Sequence, residues 1–169
     1  MKPEIKIGIG YDSHQLMIDR PLILGGVIIP HPRGLMGHSD ADVVLHAISD
    51  SLLGAAGLGD IGMHFPDSDK KYKDIKSTKI LAEVFRLIVR KGYRVGNVDI
   101  VIIAEAPKLS SHIPVMKSKI AGILLISKDE ISIKATTNEK MGFVGREEGI
   151  AAMAVSLIYK DNGTITQPD

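Results

Sequence analysis

Apolar and polar positions alternate through Ile5-Lys6-Ile7-Gly8-Ile9-Gly10-Tyr11-Asp12, and this period of two predicts a β-strand. Leu22 to Ile29 reads as a short hairpin around Gly25-Gly26. Ser39 or Asp40 can cap a helix running to about Leu53, after which Gly54, Gly57, Gly59 and Gly62 break regularity. A second helix is predicted from about Ser77 to Lys91, stopping at Gly92. Val98 to Ile103 is a nearly continuous β-branched run, typical of a strand buried on both faces. A third helix follows Pro107, from about Ser110 to Leu125, and Ile131 to Thr136 is another strand. Ile150 to Tyr159 stays ambiguous on pattern alone, because its Ala and Met residues favour helix. The order of elements indicates an α/β fold with one sheet and helices packed on it.

Composition narrows the class. Hydrophobic residues make up 44% of the 169 and charged ones 24%, a balance that suits a folded globular domain. Aromatics are 4% and Trp is absent, so Val, Ile, Leu, Ala and Met fill the core. Lys and Arg number 21 against 20 Asp and Glu, spread along the chain, so no basic stripe invites a nucleic-acid polymer. The absence of Cys excludes disulfides, thiolate ligands and a thiol nucleophile. Met1-Lys2-Pro3-Glu4 has no apolar signal core, and Ile120 to Ile126 is far short of the roughly 20 residues of a membrane-spanning helix. A cytoplasmic protein without a membrane partner is the expectation.

Four stretches carry candidate chemistry. Asp12-x-His14 puts a carboxylate and an imidazole on one face of a strand. His46 lies mid-helix, with Asp42 and Asp50 one turn to either side. Two histidines and a carboxylate suit a catalytic zinc with an open fourth position, although the same residues also fit a turn and a hydrogen-bonded core histidine. Gly59 to Asp69 is a polar, glycine-rich loop whose aspartates and free N–H groups suit hydroxyls, phosphates and a hydrated ion. Asp67-x-Asp69 does not continue as an EF-hand, since Tyr72 and Thr78 occupy the glycine and glutamate positions. Ala104-Glu105-Ala106-Pro107-Lys108-Leu109 follows a strand end, where ligand loops or plain helix punctuation both occur. Ala135 to Phe143 with Gly145-Arg146 offers hydroxyls, a carboxylate and a guanidinium, either as a phosphate and metal cradle or as a solvated turn. Gly8-x-Gly10 lacks the third glycine of a dinucleotide fingerprint, and His31 and His112 read as loop residues.

Taken in order, Gly10-Tyr11-Asp12-Ser13-His14, Gly37-His38-Ser39-Asp40-Ala41-Asp42, Leu45-His46-Ala47, Gly59-Asp60-Ile61-Gly62 and His64-Phe65-Pro66-Asp67-Ser68-Asp69 closely resemble the methylerythritol cyclodiphosphate synthase family. So do Ala106-Pro107-Lys108, Lys134-Ala135-Thr136-Thr137 and Glu139-Lys140-Met141-Gly142-Phe143 with Gly145-Arg146. The likeness covers about Ile5 to Tyr159, so residues 1–160 are expected to form one synthase domain and 161–169 a C-terminal tail. It implies a chorismate-mutase-like mixed β-sheet with helices on one face, a strand at Ile150 to Tyr159, and a homotrimer with active sites between neighbours. It also implies the reaction. The 2-phosphate of 4-diphosphocytidyl-2-C-methyl-D-erythritol 2-phosphate attacks the β-phosphorus, closing a cyclic diphosphate and expelling CMP.

By position, the resemblance assigns Asp12, His14 and His46 to one Zn2+ per subunit, and Glu139 to a Mg2+ or Mn2+ bridging the diphosphate. His38 and Thr137 match transition-state-stabilising positions, with Ser39 beside them at the helix N-terminus. Asp60 and Gly62 match ribose contacts, Ile61 lies between them, and Phe65, Pro66, Asp67, Ser68 and Asp69 match a loop over the methylerythritol. Ala104, Glu105, Ala106, Pro107, Lys108, Leu109 and Ser110, with Ala135, Thr136 and Thr137, match a cytosine pocket. Asn138, Phe143 and Arg146 complete the substrate region. Tyr11, Asn138, Glu147 and Met153 depart from common family residues, and the resemblance turns Met153 toward a central trimer cavity where isoprenoid diphosphates bind in the family. Two rival readings are a zinc phosphohydrolase and a non-catalytic cytidine-nucleotide binder.

Overall fold

A computed structural model describes residues 4–66, 68–72 and 74–160. The predicted tail, 161–169, and Met1-Lys2-Pro3 lie outside the described residues, as does Asp67. Strand β1 spans Ile5–Ile18, followed by the hairpin β2 (Leu22–Leu24) and β3 (Val27–Ile29) and a short β4 (Arg33–Leu35). Helix α1 covers Val43–Ala56, α2 is a single turn at Ile61–His64, and α3 covers Ser77–Arg90. Then come β5 (Tyr93–Ile103), α4 (Ile113–Leu124), β6 (Ile131–Thr136), the one-turn α5 (Gly142–Gly145) and β7 (Gly149–Lys160). Five strands form a mixed sheet in the order β4-β1-β7-β5-β6; β5 and β6 run parallel, and the other pairings are antiparallel.

The ambiguous C-terminal stretch is a strand, and its composition has a physical reason. Ala152, Ala154 and Ser156 are fully buried on the sheet face that carries α1. Small side chains there let the helix lie close. In β1, paired to β7 residue for residue, Gly10 stands opposite Ala154 and Gly8 opposite Ser156. A Cβ at Gly10 would stand 2.0 Å from the Ala47 carbonyl oxygen, and one at Gly8 equally close to the Ser51 carbonyl oxygen. The Gly-x-Gly pair is therefore a seat for α1, with the Ser51 and Ser156 hydroxyls bonded across the contact at 2.5 Å.

Three expectations need correction. The cap of α1 is Asp42, not Ser39 or Asp40: its carboxylate accepts the N–H groups of Val44 and Leu45, both at 3.1 Å. The same carboxylate accepts the N–H of Gly25 at 2.9 Å and of Gly26 at 2.6 Å, so it ties the β2–β3 turn to the helix start. The turn needs those glycines, whose φ values are 59° and 74°. Helix α4 begins at Ile113 rather than Ser110, because residues 110–112 form a turn before it. Val98–Ile103 belongs to a longer strand with only one fully buried face: Val98, Ile100 and Ile102 are sealed, while Asp99, Val101 and Ile103 are partly exposed.

On the opposite sheet face β1 and β7 present a bare apolar surface, beside which β5 and β6 carry the exposed Asp99–Lys134 ion pair. Ile5, Ile7, Ile9 and Tyr11 of β1 and Met153 and Val155 of β7 are all exposed there. Among the described residues, no helix is long and apolar enough to cross a membrane.

The close seat of α1 makes a stability prediction. Gly10→Ala is expected to cost about 1–3 kcal/mol through overpacking. Gly122→Ala, where an added Cβ meets nothing within 4 Å, should gain up to about 1 kcal/mol of helix propensity. Urea-denaturation midpoints of the two variants check the contrast; equal midpoints would refute it.

Candidate active site

Successive inward positions of β1 carry Gly8, Gly10, Asp12 and His14, so the strand leads from the helix seat to two donors. Seated on the glycines, α1 brings His46 over the same face. His46 Nδ1 lies 2.9 Å from Asp12 Oδ2, His14 Nε2 lies 3.0 Å from that oxygen, and the two imidazole nitrogens are 3.3 Å apart. Donors about 2.0–2.2 Å from a tetrahedral ion stand about 3.3–3.6 Å apart, so a slight widening admits a metal. The three residues form a cluster whose ligand atoms could hold a metal ion.

Hydrogen bonds behind the histidines support that assignment. His14 Nδ1 is 2.7 Å from the Met36 carbonyl oxygen, to which only an N–H can donate. His46 Nε2 reaches Ser77 Oγ at 2.9 Å and Ser39 Oγ at 3.2 Å. With protons on these outer nitrogens, His14 Nε2 and His46 Nδ1 present lone pairs toward the Asp12 carboxylate. Three converging lone pairs call for a cation between them. Without one, a proton serves. Burial favours the neutral form of Asp12, but the His14 and His46 hydrogen bonds and charges outweigh it and hold the carboxyl well below its usual range. Burial opposes protonation of His14, while the bond and charge of Asp12, helped by Met36, raise its pKa.

The cluster forms one wall of a cavity of about 360 Å3. Gly37, His38 and Ser39 continue the wall, and Ile61, Gly62 and Phe65 face it. Arg20 holds the wall segment by donating to the carbonyls of Gly37 at 3.1 Å and Ser39 at 2.9 Å. Asp60, predicted to contact a ligand, caps α2 by accepting the Met63 N–H at 2.9 Å. Asp50 accepts the Ile61 N–H at 2.7 Å, so it braces the loop and is no part of the cluster. Pro66 is partly buried, Ser68 and Asp69 are exposed, and Asp69 accepts the Lys71 N–H at 2.9 Å. Tyr72, Ile75 and Ile80 also line the cavity, and nothing in their sequence context singles them out.

The remaining predicted residues gather elsewhere. Ala104 to Ser110 follow the end of β5, and Ala135 to Glu139 span the end of β6 and the residues after it; β7 separates both strands from β1. None of them lines the cavity around His46. Glu105 joins the two segments, accepting the N–H of Asn138 at 2.8 Å and of Lys140 at 3.2 Å. This brace holds Glu139 and Lys140 in left-handed conformations, and Glu139 accepts the Thr137 hydroxyl proton at 3.1 Å. Ala104 and Leu109 are buried, whereas Ala106, Pro107, Lys108 and Ser110 retain exposure. Phe143 stands with Ser13, His14, Gln15 and Glu148 around a second hollow, and Arg146 pairs with Glu148 through two bonds of 2.9 and 3.1 Å.

A mixed sheet with helices on one face and a two-histidine, one-aspartate cluster in a cleft defines a small α/β protein with a candidate metal site. The YgbB family matches residues 5–159, and the chain belongs to it. It is 55% identical over 156 residues to the 2-C-methyl-D-erythritol 2,4-cyclodiphosphate synthase of Alkaliphilus oremlandii, spanning 92% of this chain and 99% of that protein. It is 37% identical to the structure described as IspF (Plasmodium falciparum) CDP complex, with a TM-score of 0.83 and coverage of 96% and 100%. The bifunctional IspDF from Campylobacter jejuni superposes with a TM-score of 0.91 at 41% identity, matching 95% of this chain and 43% of that longer one.

The cluster dictates a pH dependence. The depressed Asp12 contributes stability above the unfolded carboxyl value of about 3.9, lost as pH falls through its lower folded value. The elevated His14 contributes fully below about 6.5, lost as pH rises through its higher folded value. A metal ion requires neutral imidazoles, so protons compete with it. The rise in Tm on adding divalent metal should therefore be larger at about pH 8 than at about pH 5.5. A rise independent of pH would contradict this ligand set.

Proposed function

We propose that the chain converts 4-diphosphocytidyl-2-C-methyl-D-erythritol 2-phosphate into 2-C-methyl-D-erythritol 2,4-cyclodiphosphate and CMP, in the non-mevalonate (MEP) route to isoprenoid precursors. An oxygen of the 2-phosphate forms a bond to the β-phosphorus, and the P–O bond to the α-phosphate breaks, leaving that oxygen on CMP. Both reacting groups belong to one molecule, so the protein's work is to fold it, hold it and balance charge. The observation that carries this reading is the open metal cluster beside His38 and Ser39 in the cavity.

Zn2+ on Asp12, His14 and His46 would supply Lewis-acid polarisation of a phosphate oxygen. His38 and Thr137 donate to the charge that builds on the transferring phosphoryl group, and Ser39 adds a hydroxyl at the cavity wall. Asp60, Ile61 and Gly62 hold the ribose, and Phe65 to Asp69 cover the methylerythritol. Ala104 to Ser110 with Ala135 to Thr137 take the cytosine through backbone groups, flanked by Asn138, Phe143 and Arg146. Glu139 would hold Mg2+ or Mn2+, which would supply positive charge to offset that of the diphosphate. The IspF (Plasmodium falciparum) CDP complex supports the nucleotide part of the reading.

Glu139 and the cytosine segments are absent from the cavity wall around His46. A homotrimer, in which one subunit's β5–β6 end faces its neighbour's cluster, would unite them. The exposed apolar sheet face from Ile5 to Tyr11 supports such packing. We assign the enzyme to the cytoplasm, where nucleotide substrates are made.

Phosphorus NMR of substrate incubated with enzyme and Mg2+ should reveal the cyclic diphosphate and CMP. A linear phosphate would make the protein a hydrolase, and unchanged substrate would make it a binder. Glu139→Gln should retain zinc but need far more Mg2+ and lose turnover. Wild-type Mg2+ dependence in that variant would remove Glu139 from the assignment.

A further inference from the structure

His46 offers one ring nitrogen to the metal cluster and turns the other, Nε2, toward two hydroxyls. Ser77 Oγ is the nearer, at 2.9 Å, and Ser39 Oγ lies at 3.2 Å. Ser77 is fully buried at the start of α3, and both its hydroxyl and its N–H reach Asp40 Oδ1, the N–H at 3.1 Å. Asp40 is anchored in turn, its own N–H donating to the Ile75 carbonyl at 3.3 Å.

Counting protons fixes the direction of each bond. A carboxylate only accepts, so the Ser77 hydroxyl spends its one proton on Asp40. Ser77 Oγ can then only accept from His46, and Nε2 must carry the proton. An imidazole protonated on Nε2 has its lone pair on Nδ1, the atom that faces Asp12 and His14. Ser39 Oγ is the weaker claimant, since it is farther away and already accepts the Ala41 N–H at 3.0 Å.

We propose that Asp40 and Ser77 are positioning residues of the metal centre. The chain Asp40–Ser77–His46 fixes the tautomer and ring rotation of His46, an extended form of the carboxylate–histidine–metal arrangement. The inference rests on the metal reading above and adds to it two residues that touch neither metal nor substrate.

The test measures zinc affinity of the full-length chain by competition with a chromophoric chelator. Ser77→Ala should bind zinc about 10–100-fold more weakly than wild type, as loss of such a partner generally does. Ser49→Ala is the control for losing a buried hydroxyl on α1, since among the described residues Ser49 Oγ bonds only the Leu45 carbonyl, at 2.7 Å; it should match wild type. Asp40→Ala should behave like Ser77→Ala, whereas Asp40→Asn keeps an acceptor oxygen and should recover most of the affinity. The visible spectrum of the Co2+-loaded protein should shift in Ser77→Ala and not in Ser49→Ala. Should Ser77→Ala fail to fold, the Asp40 pair decides. Wild-type affinity in Ser77→Ala or Asp40→Ala, or an equal loss in Ser49→Ala, overturns the relay. No zinc binding by the wild-type chain would overturn the metal reading itself.

Discussion

Helix α1 rests on strand β1 backbone against side-chain-free backbone, and the placement of the donors depends on that contact. At Gly8 and Gly10 no methyl group fits, because the carbonyl oxygens of Ser51 and Ala47 occupy the space. Beyond the glycines the strand's inward face passes to Asp12 and His14, and the helix, held low, presents His46 to them. Asp42 fixes the helix along its axis by clamping the Gly25–Gly26 turn and capping α1 with the same carboxylate. Ligand atoms about 3 Å apart, from residues more than thirty positions apart in sequence, require this stiffness.

Electrostatics follow from the packing. Asp12 brings a negative charge into a half-buried cleft, and two imidazoles point at it from opposite elements. Their outer nitrogens are occupied by Met36, Ser77 and Ser39, so the inner ones have lone pairs to offer a cation. The fourth side opens on the cavity where His38 and Ser39 stand. An open position beside hydrogen-bond donors suits an anionic ligand, and a substrate with three phosphate groups fits that requirement. The Glu105-braced turn carrying Thr137 and Glu139 stands in a separate region, which the chain's own β7 keeps apart from this cluster.

How much of this was legible in the sequence depends on the range of the interaction. Strand β6 and the hairpin could be read directly, because alternation and turn glycines are local signals. Asp12, His14 and His46 were legible as donors, but their convergence is tertiary, and the spacing equally fitted a turn and a core histidine. The resemblance to the synthase family favours the donor reading. In the sequence Gly8-x-Gly10 shows only an incomplete dinucleotide motif, since helix packing leaves no local trace. The small residues of β7 leave its type ambiguous on pattern for the same reason: a strand beneath a close helix needs Ala where propensity suggests helix, and the strand that the resemblance implies is the one the fold has. Asp42 hid its role because a helix cap that also holds a distant turn looks like any other Asp. Ser77 gave no signal beyond its place at a helix start.

The central claim is that three side chains from β1 and α1 hold one metal ion and leave its remaining position to a non-protein ligand. Anomalous diffraction at the zinc absorption edge, from crystals grown with zinc and CDP, tests it most directly. A single strong peak per chain is expected, about 2.0–2.2 Å from Asp12 Oδ2, His14 Nε2 and His46 Nδ1, with no fourth protein ligand. A peak elsewhere, or a fourth side chain closing the coordination sphere, would contradict it.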